Sequence, residues 1–319
     1  MTGPPPAAVR LVEADEVSPL RSQALYHGLA LAMTESSPDT IVLCRPAGPY
    51  FCVGFHQSPR EELDLDWCRR QGYPVIQRAI GGGTVFLDAR QLFYQCVFHR
   101  RQAPLAVAAI YRQFLTPAVQ TLRALGLPAC LEGVNEIEVN GRRIAGTGGG
   151  QLGEAVLVVG NLLFDFAPEV MGRAWRLPSG AFRRLAEEGL RLHLATLAAM
   201  LDRPPSEAEI RRRLVAEYEA GLGRPLVPGV LTLEEEAAVE SEERRLARLD
   251  EAGAVARPRD SRLKVTHRVW VHEWHWPVSG GEARVTARLA DGRVEAIEMA
   301  GGALSPQEAE RRVLEALGR

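Results

Sequence analysis

Along the chain the spacing of apolar positions changes several times, and each change marks an element. Ser18-Pro19 precedes LRSQALYHGLALAM, whose pattern predicts an amphipathic helix with a serine N-cap and proline at its first turn. Short runs rich in β-branched and aromatic residues follow. They predict strands over 40–44, 50–54, 74–78, 84–87 and 91–99, with a short helix over 61–71 between them. Residues 104–125 read as a long helix. The runs 136–139 and 142–146 flank Asn140-Gly141, a dipeptide suited to a tight type I′ turn, so they pair as a hairpin. Residues 155–166 return as a further strand.

Ser206 with Glu209, and Thr232 with Glu235, have the spacing of capping boxes that open two helices. The stretch GRPLVPGV (223–230) is Pro/Gly punctuation and marks a seam. Past the charged helix from Thr232, strands are predicted near 264–276, 282–289 and 294–299. A last helix opens at Ser305-Pro306-Gln307-Glu308 with a capping box and an early proline. Regular β-α alternation is absent, which excludes a Rossmann fold. The fold class is α+β: a main domain with a mixed or antiparallel sheet, over 1–231, then a linker helix and small α+β accessory domain over 232–319.

The chain has 319 residues, enough for two domains. Its formal net charge of −2 gives no reason to expect nucleic-acid binding by bulk charge. No run approaches the roughly 20 apolar residues of a membrane span, and 1–9 lacks the features of a secretion signal. The expected compartment is the cytosol, with no membrane and no nucleic-acid partner. Cys44, Cys52, Cys68, Cys96 and Cys130 show no C-x-x-C pairing, which argues against a zinc site or a disulfide framework. In THRVWVHEWHW, His272 and His275 face opposite sides of a strand, so aromatic packing is preferred to a metal site and no metal ligands are assigned.

Two segments carry chemistry. In QRAIGGGTVFLD, Gly81, Gly82 and Gly83 stand between two predicted strands. Such a run costs backbone entropy and makes sense where a ligand approaches the backbone closely. Its N–H groups can cradle a phosphate or carboxylate, with Arg78 adding charge; a flexible hairpin turn is the alternative. No G-K-[ST] follows, so this is not a Walker loop. In GVNEIEVNGRRIAGTGGG (133–150), strand alternation puts Arg142 and Arg143 on opposite faces, one toward a pocket and one toward solvent. A solvated hairpin is the alternative there.

Together these segments resemble the biotin/lipoate ligase superfamily, and lipoate–protein ligases within it. That family's first motif reads roughly R-R-x-S-G-G-G-x-V-F-H-D, and its second roughly G-R-N-D-L-V-V-x-G-R-K-I-S-G. VVGNLLFDF is similar to the family's H-G-T-L-L segment, and EARVTARLADGRVEAIEMAGG with the helix after it resembles the small accessory domain of two-domain ligases. The resemblance implies an acyl-adenylate made from lipoate or octanoate and ATP with Mg²⁺. The acyl group then passes to a lysine of a lipoyl-domain protein. It places Arg78, Gly81, Gly82, Gly83, Thr84, Gly146 and Thr147 around the substrates, and Asn135 at the nucleotide or its metal. The family's essential lysine aligns with Arg143, in a chain whose one lysine is Lys264; Leu87 and Val159-Gly160-Asn161 are further departures. Arginine keeps the charge but not the geometry of a compact ammonium.

Three readings follow. The first is an ATP-dependent ligase with Arg143 as the catalytic cation. The second resembles octanoyl transferases of the superfamily: Cys130 takes the acyl group from an acyl carrier protein as a thioester, its thiolate favoured by Arg142 or Arg143. The third is a non-catalytic relative that binds acyl groups or lipoyl domains. For Cys130 the alternative is a small buried hydrophobe.

Overall fold

The computed structural model describes residues 7–248 and 261–318. In chain order the first elements are β1 (Val9–Val17), α1 (Pro19–Leu31), β2 (Thr40–Pro46), β3 (Tyr50–Val53), α2 (Pro59–Glu62), α3 (Leu65–Gln71), β4 (Val75–Gln77), β5 (Val85–Leu87) and β6 (Gln91–His99). Then come α4 (Val107–Ala124), β7 (Ala129–Glu132), β8 (Glu136–Val139), β9 (Arg142–Leu152), β10 (Ala155–Leu163), α5 (Pro168–Ala174), α6 (Gly180–His193), α7 (Leu197–Met200), α8 (Glu207–Leu222) and β11 (Leu226–Pro228). The last are α9 (Leu233–Leu246), β12 (Ser261–Lys264), β13 (Val269–Val278), β14 (Gly281–Ala290), β15 (Arg293–Gly301) and α10 (Pro306–Ala316). No helix among the described residues is long and apolar enough to cross a membrane.

The chain divides into two compact units. The larger holds an eight-stranded sheet in the order β11-β1-β2-β6-β10-β9-β8-β7, and a three-stranded sheet in the order β4-β3-β5. β1 runs parallel to β2 and β11, and the other pairings of the large sheet are antiparallel, so it is mixed, as expected. β6 lies at its centre with all nine residues buried, which is why its sequence lacks a clean polar alternation. Leu92, Tyr94, Cys96 and Phe98 pack with α4 and α8 residues such as Phe114 and Leu214. Phe93 and Val97 pack with Leu25 and Leu29 of α1 and Val239 of α9. Asn140 and Gly141 have φ of 51° and 72°, the conformation their hairpin turn requires.

The smaller unit holds the four-stranded antiparallel sheet β12-β13-β14-β15. Ala309 and Val313 of α10 cover Trp274, Val285, Ala287 and Leu289. Arg288 reaches α6 instead, donating to the Leu185 carbonyl and the Glu188 carboxylate, both at 3.2 Å. Trp270, His272, Trp274 and Trp276 run along one face of β13 as a ladder, with neighbouring ring centroids 6.2, 5.3 and 5.9 Å apart.

Several details differ from the sequence reading. The units do not divide at 231/232: α9 belongs to the larger one, and the segments 60–67 and 167–194 to the smaller one. Apolar packing of Val239 and Leu246 against α1 and charge together hold α9 there. Arg10 on β1 donates to Glu235 at 2.7 Å, and Arg21 on α1 to Glu236 at 2.7 Å, so the first turn of α9 is held on the main sheet. β9 does not stop at Gly146 but runs through the second glycine cluster to Leu152, paired along its length with β10. The predicted helix over 61–71 is two short helices, and the run 264–276 is two strands joined by a turn. Thr232 and Glu235 form both bonds of a capping box, whereas Ser305 accepts from Glu308 N–H while the Glu308 carboxylate is held by Arg311 and Arg312.

Candidate active site

A narrow cavity of about 60 Å³ lies in the larger unit, between the face of the large sheet and the small sheet. Phe93, Gln95, Val159 and Asn161 form its floor, Gly146, Thr147 and Gly148 one side, Gln23 and Tyr26 of α1 another, and Cys52, Arg78, Val85 and Leu87 the cover. Val85, Leu87, Phe93 and Val159 give it apolar surface suited to a hydrocarbon chain, and Gln23, Tyr26, Arg78, Gln95, Thr147 and Asn161 bring polar groups to the same space.

Arg78 organises the glycine loop. It is only 6% exposed, yet among the described residues no carboxylate pairs with it. Its guanidinium donates to the Gly81 carbonyl at 3.1 Å, the Gly83 carbonyl at 2.8 Å and the Cys52 carbonyl at 3.2 Å, with Cys52 Sγ at 3.5 Å. The planar fork thus ties both ends of the glycine run to β3. Gly82 has φ of +110°, open to glycine but strained for other residues, and a Cβ there would press on Arg78 Nη2. With the carbonyls turned to Arg78, the N–H groups of Gly81, Gly82 and Gly83 donate no hydrogen bond among the described residues. A buried cation without a counter-ion and three unused donors are the components of an anion cradle.

The other expected site residues fall into two groups. Gly146 and Thr147 line the cavity, and Thr147 donates its hydroxyl proton to the Asn135 carbonyl, so Asn135 enters through its backbone. Thr84 is buried, and its hydroxyl donates to Gln57 Oε1 at 3.1 Å rather than facing the cavity. Arg143 and Cys130 lie away from the cavity lining, at the end of the large sheet. Glu138 is opposite Cys130 on one side and opposite Arg143 on the other, so the three share a row. At sheet spacing that row puts Cys130 and Arg143 about 10 Å apart.

Arg143 has a quarter of its side chain exposed, lies 3.9 Å from Glu136, and its carbonyl accepts the Ala195 N–H at 2.8 Å. Burial draws its pKa down, and Glu136 and Glu138 pull it back up. For Cys130 the structure corrects the expected activation by Arg142 or Arg143. Its Sγ faces the Glu132 carboxylate at 3.4 Å, and burial, Glu132 and Glu138 all raise its pKa, with Arg123 the opposing charge. The thiol rather than the thiolate is favoured in this arrangement.

Sequence reading missed Gln23, Tyr26, Cys52 and Gln95. Cys52 lines the cavity and touches Arg78. Gln95 was legible in principle, because Gln91 and Gln95 share one face of an otherwise apolar strand. Its Nε2 donates to the Ser22 carbonyl at 2.6 Å, and its buried Oε1 makes no hydrogen bond among the described residues.

The family described as "Lipoyl protein ligase A/B catalytic domain" matches residues 18–219, well over half of the chain. The chain belongs to the lipoyl protein ligase A/B family. Octanoyltransferase LipM of Symbiobacterium thermophilum is 30% identical over 59% of this chain and 76% of its own length. Lipoate-protein ligase LplJ of Bacillus subtilis is 26% identical over 52% of this chain and 50% of its own. Among solved structures, the bipartite lipoate protein ligase of Thermoplasma acidophilum, studied with its E2 lipoyl domain, superposes with a TM-score of 0.71 at 20% identity, covering 79% of this chain and 98% of that one. Lipoate-protein ligase A bound with ATP superposes with a TM-score of 0.64 at 20% identity, covering 75% and 95%. This member of the family is an enzyme of lipoyl or octanoyl transfer, which sets aside the non-catalytic reading.

Proposed function

We propose that the enzyme activates lipoate or octanoate with ATP and passes the acyl group to a lysine of a lipoyl-domain protein. One observation carries this reading: Arg78, which holds the Gly81 and Gly83 carbonyls of the glycine loop, also lines a cavity with apolar walls. A cavity for the chain beside donors for carboxylate and phosphate oxygens is what an acyl-adenylate needs. In the first step a carboxylate oxygen attacks the α-phosphate and pyrophosphate leaves. In the second, the acceptor's amine attacks the acyl carbonyl, AMP leaves and the nitrogen loses a proton. ATP on lipoate-protein ligase A, lipoic acid on the T. acidophilum ligase and the lipoyl domain of the bipartite system support these substrates. Arg143 does not line the cavity, and its role as the cation rests on its standing at the position of the family's lysine. No carboxylate lines the cavity, so its residues do not form a Mg²⁺ site and no step is assigned to that ion.

A second reading has its own observation: of the five cysteines, Cys130 alone is not buried. Its Sγ would attack a carrier-bound thioester, the carrier thiol would leave, and the acceptor lysine would then release the cysteine. The raised pKa of Cys130 weighs against this in the free enzyme.

Mass spectrometry separates the two. Incubated with ATP, Mg²⁺ and each acid, the first reading expects acyl-AMP, lost in Arg143→Ala and kept in Arg143→Lys. With octanoyl-carrier protein, the second expects an acyl adduct that Cys130→Ser abolishes or converts to an ester. Neither product with either donor would refute both.

A further inference from the structure

The glycine loop is approached from two sides. Arg78 holds its carbonyls; on the other side stands a histidine that the transfer chemistry does not use. His27 of α1 is fully buried, and its Nε2 accepts the Ala79 N–H at 3.1 Å. An accepting ring nitrogen carries no proton, so the neutral imidazole has its proton on Nδ1. Nδ1 faces Glu242 Oε2 of α9 at 3.5 Å, too far to count as a hydrogen bond. Glu242 is itself held by Arg245, whose Nε and Nη2 donate to it at 2.9 and 2.7 Å.

The approach of α9 is built into α1. A Cβ at Gly28 would overlap the backbone of Val239, so the helices meet at backbone distance one residue after His27. Beyond Glu242, Arg245 and Leu246 share a recess with Arg78 and Ala79. Three successive residues before the glycines are each pinned once. Arg78 N–H donates to the Val53 carbonyl, Ala79 N–H to His27, and the Ile80 carbonyl accepts from Phe55 N–H. Of these anchors only His27 is a side chain.

We propose that His27, backed by Glu242, is a positioning residue for the glycine loop, which makes α9 part of the transfer site and not a connector between domains. Without the imidazole acceptor, the Ala79 N–H loses its partner, and the peptide that orients Arg78 and leads into Gly81 is free to turn. The functional consequence rests on reading the loop as the anion cradle; the anchoring itself does not, and it is measurable without substrate.

The test uses the whole enzyme. Hydrogen exchange of the segment 78–84 is measured in the ligand-free protein for wild type, His27→Gln and His27→Phe. Glutamine can place an acceptor near the position of Nε2, whereas phenylalanine fills the space without one. His27→Phe is expected to raise exchange of this segment by up to about tenfold, with His27→Gln close to wild type. In transfer assays the same order should appear as a higher KM for the acyl substrate, with a smaller change in kcat. ¹⁵N spectra of wild type should show the Nδ1–H tautomer from pH 5 to 8, and this readout stands even if His27→Phe fails to fold. An Nε2–H tautomer, unchanged exchange in His27→Phe, or equal rises in both variants would overturn the proposal. Protected exchange with no acyl transfer under any condition would instead count against the proposed function and leave the anchoring intact.

Discussion

The enzyme has two glycine clusters that look alike in sequence and do different work. Gly81–Gly83 are irregular: one has φ of +110°, their carbonyls at 81 and 83 are taken by Arg78, and their N–H groups donate no hydrogen bond among the described residues. Gly146 and Gly148–Gly150 are regular strand residues, in register with Asn161, Val159, Val158 and Leu157 of β10. There the missing side chains matter. A Cβ at Gly148 would lie 3.2 Å from the Gly81 carbonyl oxygen, and one at Gly150 would lie 3.3 Å from Ile80. The first cluster supplies backbone donors through its conformation; the second supplies room for the first to lie over it. Glycine therefore reports either a dihedral or a clearance, and neighbouring residues decide which.

Acid should divide the two clusters most strongly. Burial, then Arg245 and Arg78, lower the His27 pKa from 6.5 to about 3, and Glu242 does not reverse this because Arg245 already neutralises it. The folded-state pKa is the depressed one, so the unfolded chain binds the proton first. Stability is then lost as pH falls from about 6.5 toward 3, and levels off below. The difference between these two values corresponds to at most about 5 kcal/mol. Chemical denaturation from pH 7 to 3.5 measures it, and His27→Gln should flatten the curve. In exchange experiments the segment 78–84 should open before 146–152; simultaneous opening would break the contrast.

Next in size is Gly82→Val. The left-handed φ and the contact with Arg78 Nη2 should lower kcat/KM about 100-fold, with far-ultraviolet circular dichroism unchanged. Equal ligand affinity in the variant would show that the loop conformation is irrelevant. Arg78→Lys should follow, with a loss of about tenfold or more in kcat/KM, because one ammonium cannot hold the Gly81 and Gly83 carbonyls together as the fork does. Full activity in this variant would mean that charge alone suffices. Gly148→Ala should be mildest. The Gly81 carbonyl must give by a few tenths of an ångström, so a fall of roughly threefold is expected, greater for longer acyl chains. A loss as large as that of Gly82→Val would erase the distinction between clearance and conformation.

Much of the fold was legible because its signals are local. The helix after Ser18, the hairpin at Asn140-Gly141 and the cap at Thr232 each depend on residues within a few positions, and each is present, although that helix is buried without a break from Ser22 to Ala30 and is not the amphipathic one expected. β1 and the helices of 167–194 were not read. β1 mixes acidic residues into its apolar run, whereas α6 carries a readable signal, with Phe182, Leu185, Ala186, Gly189 and Leu190 at helical spacing after the Ser179 N-cap. In the site, QRAIGGG marked the loop, but Arg78 was read as a ligand-facing charge, whereas its donors turn inward to the loop itself.

By itself the sequence determined the elements with clear periodicity, the two glycine clusters, and enough of two motifs to identify the family. Turn chemistry, capping and alternation act over a few residues, and the chain cannot realise them differently without losing those bonds. Only the tertiary structure decided which neighbours the charged groups meet. His27 faces Glu242 and Arg10 holds Glu235 across more than 200 residues of chain, and Cys130 meets Glu132 and Glu138, with Arg123 and not Arg142 or Arg143 as its nearby cation. Such pairings are set by the order of strands in the large sheet and by the clamp that lays α9 on α1. Neither leaves a periodic trace, because a contact between distant segments imposes no spacing on either of them.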